Sequence, residues 1–485
     1  PMQPAQRCEY YMAYDLRAFR QSKKLTQKQF SEISGISVVR LKMIERGFER
    51  LELGEAEAIA KAANQDVDVL AMLFSQEGPR TPGEGYTTFK VEGSKVSDRK
   101  LAVPAGRTRV LDLFCGCGGL SQGFEHTGKF VVTAGVDLLP DRINTFRLNH
   151  PFAATVQGDI SKIDRAALKQ IAADPEVIIG GPPCQGFSSI RPFRTLTEGD
   201  PRNSLIEEFV LTVSEIKPRW FVFENVVGLL SHANGSTFQS LLASFAEVGY
   251  SADWRVINVA QFGVPQARER LVIVGSRDDQ PFAWPAPTHA YAGRSMAGRR
   301  AKRLVTDPLF EGLLQPAVTV MDAIGDLPPV SHGCAVTEYD ASLAETDYSR
   351  MIRNGALRLT MHEATKHNEK MLEIIRMAGT TRASLPAGMT SSGFSSCYSR
   401  LEADRPSTTI TVNFVHPASN RCIHPVQDRA LTPREGARLQ GFEDTFQFAG
   451  SRAQIVKQIG NAVPPILGRA IAESLAESDY CRAAA

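Results

Sequence analysis

With 485 residues, 43% of them apolar, the chain is too long for one ordinary domain and can bury sizeable cores, so two or three domains are expected. A formal net charge of +2 excludes a globally basic nucleic-acid binder; any such surface must be local. Eight cysteines at irregular spacings make neither a disulfide framework nor a paired zinc pattern, and Cys115-Gly116-Cys117 is too tight for zinc, so no metal is expected. No signal peptide and no bilayer-spanning apolar run are found, Pro1 before Met2 reads as a cloning remnant, and a reducing cytoplasm is the simplest location.

Residues 16–20 open a helical pattern. Thr26 is a good N-cap for the next segment, where Phe30 and Ile33 make an apolar face. Gly35 breaks that helix, Ser37 caps the next with Leu41 and Ile44 inward, and Gly47 stands at a C′ position. Amphipathic segments follow at 55–63 and 66–74. Thr26-Gln27, Gly35 and Glu45-Arg46-Gly47 make residues 14–74 resemble a phage-repressor-type helix-turn-helix domain. That resemblance puts helix 37–45 in the major groove, with Gln27, Ser37, Val38, Val39, Arg40 and Lys42 at bases or phosphates. Val38 and Val39 depart from the polar readers often found there; they would touch thymine methyls or leave the readout to Arg40. The alternative is a helical bundle for dimer contacts.

A Gly-, Pro-, Ser-, Thr- and Lys-rich segment, 78–106, reads as a linker, part of it open to packing as an extended strand. Strand, loop and helix then alternate. Val110-Leu111-Asp112-Leu113 is a strand, 114–119 a glycine-rich turn, and 120–124 the start of a helix. A second strand ends in Asp137 and a third near Gly158-Asp159-Ile160, which suggests a doubly wound sheet with a nucleoside-like ligand at its carboxyl edge. Each aspartate has an alternative as a helix N-cap.

Val177-Ile178-Ile179 is a buried strand running into Gly180-Gly181-Pro182-Pro183, a stiff turn that presents Cys184 beside a small-residue loop. Such a cysteine is placed for nucleophilic attack, the alternative being a buried structural thiol. Strand 221–226 carries Glu224, either a carboxyl with a raised pKa suited to proton donation or a structural ion pair. Arg268 and Arg270 alternate along a strand and share a face, suited to an anionic or carbonyl-rich ligand or forming a surface ladder with Glu269.

These motifs run in one order: Asp112-Leu113-Phe114 to Gly119; Asp137; Gly158-Asp159-Ile160; Gly181-Pro182-Pro183-Cys184-Gln185; Glu224-Asn225-Val226; Gln266-x-Arg268-x-Arg270; Leu431 to Phe442; and Gln458 to Pro465. Residues 107 to about 475 thereby resemble the DNA cytosine-5 methyltransferases. The resemblance implies an S-adenosylmethionine-dependent α/β methyltransferase fold (doubly wound, mostly parallel), a small irregular target-recognition domain, and the N-terminal all-α helix-turn-helix domain. It implies domains at 1–77 (helix-turn-helix), 107–281 completed by 455–485 (catalytic) and 282–454 (target recognition). Cys184 would attack carbon 6 of cytosine, Glu224 protonate ring nitrogen 3, Arg270 hold the base carbonyl, Arg268 support the site or a phosphate, and Asn225 brace it. S-adenosylmethionine would be lined by Phe114, Gly116, Cys117, Gly118, Gly119, Asp137, Leu138, Asp159, Ile160, Pro182, Asn461 and Val463. Asp137 would bind ribose hydroxyls, Leu138 lie against adenine and Asp159 take its amine, while the backbone of Pro182 helps hold the cytosine amine. A helix over 462–476 should pack back onto the sheet.

The target base must be flipped out of the duplex, under a closing loop 185–203 with Gly186, Gly199, Pro192 and Pro201. Its Arg191, Arg194 and Arg202 would meet phosphates, with Gln185 in the vacated gap and Ser188 at the DNA. In the recognition region, Thr408 lies in a Thr-rich strand beside the base readers, and 391–400, with Gly393, Phe394 and Tyr398, forms a groove loop. Arg294, Arg299, Arg300, Lys302 and Arg303 suit phosphates or form a solvated charge run, and Arg434 and Glu435 form an internal ion pair. The expectation is a bacterial, nucleoid-associated modification methyltransferase with a repressor domain, acting on double-stranded DNA at a methylation site and an operator. A homodimer through the helix-turn-helix and a separately acting cognate restriction endonuclease are the expected partners; no membrane is. The alternatives are a catalytically silent transcription regulator, against which the intact Cys184, Glu224, Arg268 and Arg270 argue, and an RNA cytosine-5 methyltransferase.

Overall fold

The computed structural model describes residues 26–38, 41, 94–183, 204–291, 293, 295, 301–304, 312–386, 388–390 and 396–483. Cys184, Gln185, Ser188 and the rest of loop 185–203 lie outside them, as do Val39, Arg40, Lys42, Ile44, Gly47, the segments 55–63 and 66–74, Arg294, Arg299, Arg300 and residues 391–395. The chain divides into two compact units, Pro1–Tyr86 and Thr87–Ala485.

In the first unit, α1 (Gln27–Ser34) starts at Thr26, whose hydroxyl accepts from Gln29 N while Gln29 Oε1 accepts from Thr26 N. This reciprocal cap satisfies two otherwise orphaned amides. Gly35 ends the helix at φ 72°, a left-handed conformation that glycine adopts without strain. Phe30, Ile36 and Leu41 are buried; Ser37 is exposed, and Gln27 and Val38 are half-buried.

The second unit opens with β1 (Lys95–Ser97), β2 (Thr108–Leu113), α2 (Gly119–Glu125), β3 (Phe130–Asp137), α3 (Pro140–Asn149) and β4 (Ala154–Gln157). Next come α4 (Arg165–Ile171), β5 (Val177–Gly180), α5 (Ser204–Ile216), β6 (Trp220–Val226), α6 (Ser236–Glu247), β7 (Ser251–Asn258), β8 (Gln266–Ala267) and β9 (Glu269–Ser276). One sheet runs β1-β4-β3-β2-β5-β6-β9-β7. It is parallel from β4 to β6; β1, β9 and β7 are antiparallel to their neighbours. The extended strand anticipated inside segment 78–106 is β1, the sheet's edge, paired with β4.

Alternation along the strands builds two cores. Leu111, Leu113, Ile178 and Phe223 face α4, α5 and α6. Val110, Ile179 and Val222 face α2 and α3. The second layer is completed by the last helix, described below.

The segment after β9, expected to carry target recognition, holds β10 (His289–Ala290), β11 (Gln315–Pro316), α7 (Val320–Ile324), α8 (Asp347–Arg353), α9 (Glu369–Met377) and β12 (Ser407–Thr408). It is less irregular than expected, since its three helices have Thr319, Thr346 and Asn368 as N-caps. Then come α10 (Pro433–Leu439), α11 (Arg452–Asn461) and α12 (Pro465–Ala483). The expected helix over 462–476 therefore starts at Pro465 and runs further; Leu467, Ile471 and Leu475 bury it on the α2 side of the sheet. Residues of α7, α8, α10 and α11 share a core with Cys117, so this core abuts the glycine turn. Among the described residues, no helix is long and apolar enough to cross a membrane.

Candidate active site

A cleft of about 1480 Å³ lies at the carboxyl ends of the parallel strands, where a doubly wound sheet binds its ligand. At one end is the turn between β2 and α2. Phe114, Gly116 and Gly118 all have positive φ (59°, 54° and 92°). Gly116 faces open space: a Cβ there would come no closer than 4.0 Å to Phe114 O. Val463 O lies only 2.3 Å from where a Gly119 Cβ would sit, which ties the turn to the chain entering α12. Asp137, ending β3, accepts from Gly116 N (3.0 Å) and Leu139 N (2.9 Å), and burial raises its pKa above the ordinary value. Asp159 follows β4 and accepts from Ser161 N and Oγ, so the N-cap alternative holds for it while it lines the cleft. Leu138 is 61% exposed here and Ile160 lies beside it. An open glycine cradle, two strand-end carboxylates and two apolar side chains fit a nucleoside carrying an amino-acid tail, the shape of S-adenosylmethionine.

Two expected lining residues have structural roles. Gly118 does not line the cleft: a Cβ there would lie 2.2 Å from His150 Nε2. His150 is fixed by Glu125 (2.7 Å) and by Phe146, whose ring centroid is 4.3 Å away. Gly118→Ala would combine that clash with a strained φ, at a cost of about 1–3 kcal/mol. It should weaken S-adenosylhomocysteine binding at least about tenfold in a calorimetric titration and lower the melting temperature. Cys117 touches the cleft but is buried in the recognition-side core, where burial pushes its thiol up to about 12.

Below the turn, Asp112 accepts from Ser121 Oγ at 2.6 Å. Burial pushes its carboxyl up to about 8, with the Ser121 bond opposing and the Asp137 charge adding. Between about pH 4 and pH 8 the folded protein thus keeps a proton that the unfolded chain has lost, and stability falls as pH rises through that window. Asp112→Asn removes this dependence. Its melting temperature relative to wild type should rise steadily from pH 5 to pH 8, as read by thermal melts across that range.

At the other end, Glu224 on β6 and Arg270 on β9 are paired, Oε1 to Nε at 2.8 Å, both lining the cleft. Glu224 Oε2 would lie 2.8 Å from a Gly181 Cβ, so only glycine lets the turn before Cys184 pass this carboxylate. Asn225 Nδ2 donates to Pro182 O (3.2 Å), and its Oδ1 accepts from Val226 N (2.8 Å), a bracing role. Pro182 and the exposed Pro183 line the cleft.

Of the two roles expected of Arg268, the structure shows the supporting one. It is 2% exposed, and its guanidinium donates to Ile410 O, Gly460 O and Ala462 O at 3.1–3.3 Å. Three backbone carbonyls take its two terminal nitrogens, so it joins chain segments while lining the cleft.

Of the DNA-reading candidates, Thr408 pairs with Ala267 in a two-stranded parallel ribbon of β12 and β8, and the following Thr409, Ile410 and Thr411 line the cleft. Tyr398 is buried, and Arg400 is committed to Ile375 O, Ala378 O, His424 O, Gln427 O and Asp428, so neither stands free as a groove reader. Lys302 is held by Asp253 (2.9 Å) over the Trp254 ring. Arg434 and Glu435 do not pair with each other: adjacent helical residues point apart, so Arg434 meets Asp444 and Glu435 meets Arg429. The sequence reading also missed the buried His150–Glu125 pair and Lys457 at the cleft rim, for which no local pattern exists.

The fold and cleft define a nucleoside-binding α/β methyltransferase. The family model described as C-5 cytosine-specific DNA methylase matches residues 108–477, and a helix-turn-helix model matches 16–70. The Type II methyltransferase M.AgeI of Thalassovita gelatinovora is 32% identical over 434 residues, covering 76% of this chain and 99% of that protein. M1.HphI of Haemophilus parahaemolyticus, also a Type II methyltransferase, is 34% identical over 370 residues, covering 75% and 86%. The crystal structure of a DNA modification methyltransferase encoded within an E. coli prophage superimposes with a TM-score of 0.57 at 25% identity, covering 77% of this chain and 99% of that one. The chain belongs to the C-5 cytosine-specific DNA methylases, enzymes that depend on S-adenosylmethionine, and carries a helix-turn-helix domain besides.

Proposed function

We propose that this enzyme is the modification methyltransferase of a restriction–modification system, that it flips cytosine out of duplex DNA, and that it methylates carbon 5 through a covalent adduct with Cys184. The observation that carries this reading is the Glu224–Arg270 pair, pressed against Gly181 in the same cleft as the glycine turn. Flipping costs a few kcal/mol and exposes the ring edge to those groups. Cys184 attacks carbon 6 as a thiolate, forming the sulfur–carbon bond while the ring electrons move toward carbon 5. Glu224 binds nitrogen 3 and supplies a proton there, so negative charge does not build up on the ring. Arg270 holds Glu224 and the base carbonyl, and Asn225 holds the Pro182 backbone beside the exocyclic amine. Gly116, Gly119, Asp137, Leu138, Asp159, Ile160 and Asn461 would hold S-adenosylmethionine, which when bound supplies an electrophilic methyl group. Once carbon 5 is methylated, nitrogen 3 returns its proton to Glu224, and loss of the carbon 5 proton to a base restores the ring double bond and expels Cys184 as a thiolate.

The helix-turn-helix unit suits a second duplex site, an operator at which a homodimer represses transcription; a cognate restriction endonuclease would act separately. Tritiated methyl transfer to unmethylated genomic DNA and to transfer RNA tests the reading. Label on carbon 5 of cytosine in DNA at one short sequence is the expected result. Label confined to transfer RNA, or none from protein that binds S-adenosylhomocysteine, would overturn it.

A further inference from the structure

A buried polar seam runs behind the cleft and meets it at Arg268, Ile410, Gly460 and Ala462. Gln440, at the end of α10, is fully buried and absent from the cleft lining. Its amide nitrogen donates to Ile459 O and Ala462 O, each at 2.9 Å, and its oxygen accepts from Gln266 Nε2. Gln266 Oε1 in turn accepts from Ile410 N at 2.8 Å. Arg268 bridges the same partners, reaching Ile410 O, Gly460 O and Ala462 O. Gly460 packs backbone to backbone on the segment that follows β12: a Cβ would lie 2.5 Å from Thr411 C and O.

The clamped segment is the break between α11 and α12. Ala462 leaves the helix at φ −64°, ψ 149°, so carbonyls at the end of α11 need partners outside it. Asn461 stands exposed in the cleft on one side of the break, and Val463 O rests against Gly119 of the glycine turn on the other.

We propose that Gln440, acting with Arg268, is a positioning residue for the cofactor: it holds the 460–462 turn in the shape that presents Asn461 and supports the glycine turn. The proposal rests on the reading that this end of the cleft takes S-adenosylmethionine. Losing the Gln440 amide leaves buried carbonyls short of a donor, and the turn relaxes where the cofactor must bind.

The test uses the full chain as wild type, Gln440→Met (similar length, no amide) and Arg268→Lys (same charge, no fork). Each is titrated calorimetrically with S-adenosylhomocysteine in the absence of DNA. Kd should rise about tenfold or more in both variants. In Gln440→Met, KM for S-adenosylmethionine should rise in step, with kcat at saturating cofactor within about twofold of wild type. A lower folded fraction would instead lower kcat and leave KM unchanged; that outcome, or unchanged Kd in both variants, overturns the proposal. Arg268→Lys carries the test if Gln440→Met does not fold. A wild type that binds no S-adenosylhomocysteine would sink the cofactor reading itself.

Discussion

Cys184→Ala should abolish methyl transfer, a loss of at least about 10⁴-fold, with S-adenosylhomocysteine affinity within about twofold of wild type. The expectation rests on what leads into that residue. β5 lies between parallel β2 and β6, and Gly180 passes so close to Leu113 O that a Cβ would sit 2.3 Å from it. Gly181 then passes Glu224, Asn225 holds Pro182 O, and the chain reaches Pro183 in the cleft immediately before Cys184. No nearby described thiol can substitute. Cys115 and Cys117 are buried, and burial raises both thiols far from the thiolate form. Duplex DNA carrying 5-fluorocytosine gives an independent readout, because fluorine cannot leave as a proton does. Wild type should form a denaturant-resistant adduct and Cys184→Ala none; an adduct in the variant would remove Cys184 as nucleophile.

Arg438→Met should cause the largest loss of stability, about 3–5 kcal/mol, because it strips a charged partner from each of two buried carboxylates. Arg438 is 0% exposed and donates to both oxygens of Asp444 (2.6 Å at the shortest), to Ala323 O (3.0 Å) and to Asp326. Asp444 also accepts from Arg434 (3.2 Å) and Tyr339 (2.7 Å), so the network joins α7, α10 and the segment that carries Tyr339. Burial alone would raise the Asp444 carboxyl, but the Arg438 hydrogen bonds and the Arg434 and Arg438 charges outweigh it and hold it below its ordinary value. A lowered folded pKa gives stability that is present above the unfolded value and lost as pH falls through the folded one. Urea melts from pH 3 to pH 7 should therefore show wild type holding its stability to lower pH than Arg438→Met. Equal midpoints at pH 7 would mean that the network contributes little.

Local chemistry was legible where the chain writes it locally. Thr26 caps the helix as predicted, with Gln29 three residues on completing the cap, and Gly35 breaks the helix as predicted, in a left-handed conformation. The apolar runs at the start of β5 and β6 were read as buried strands, and the cores on either side of the sheet bear this out. Asp137 and Asp159 were found as strand-end carboxylates, and Glu224 and Arg270 as groups of one site. The supporting role expected of Arg268 holds, but its three acceptors could not be named, because they lie in segments far along the chain and a strand pattern shows only which face a side chain takes. The supposed Arg434–Glu435 pair failed for a similar reason. Adjacency in sequence is not adjacency on a helix, and the true partners, Asp444 and Arg429, sit on other segments.

By itself, the sequence determined the order of elements, the glycine turn, the strand-end acids and the family, since each depends on residues within a few positions of one another or on motifs in fixed order. Tertiary structure alone decided which polar groups face the cleft and which are consumed inside. Buried carbonyls and carboxylates must find partners wherever folding brings them, and Gln440, Arg268 and Arg438 answer that demand across segments no local pattern connects.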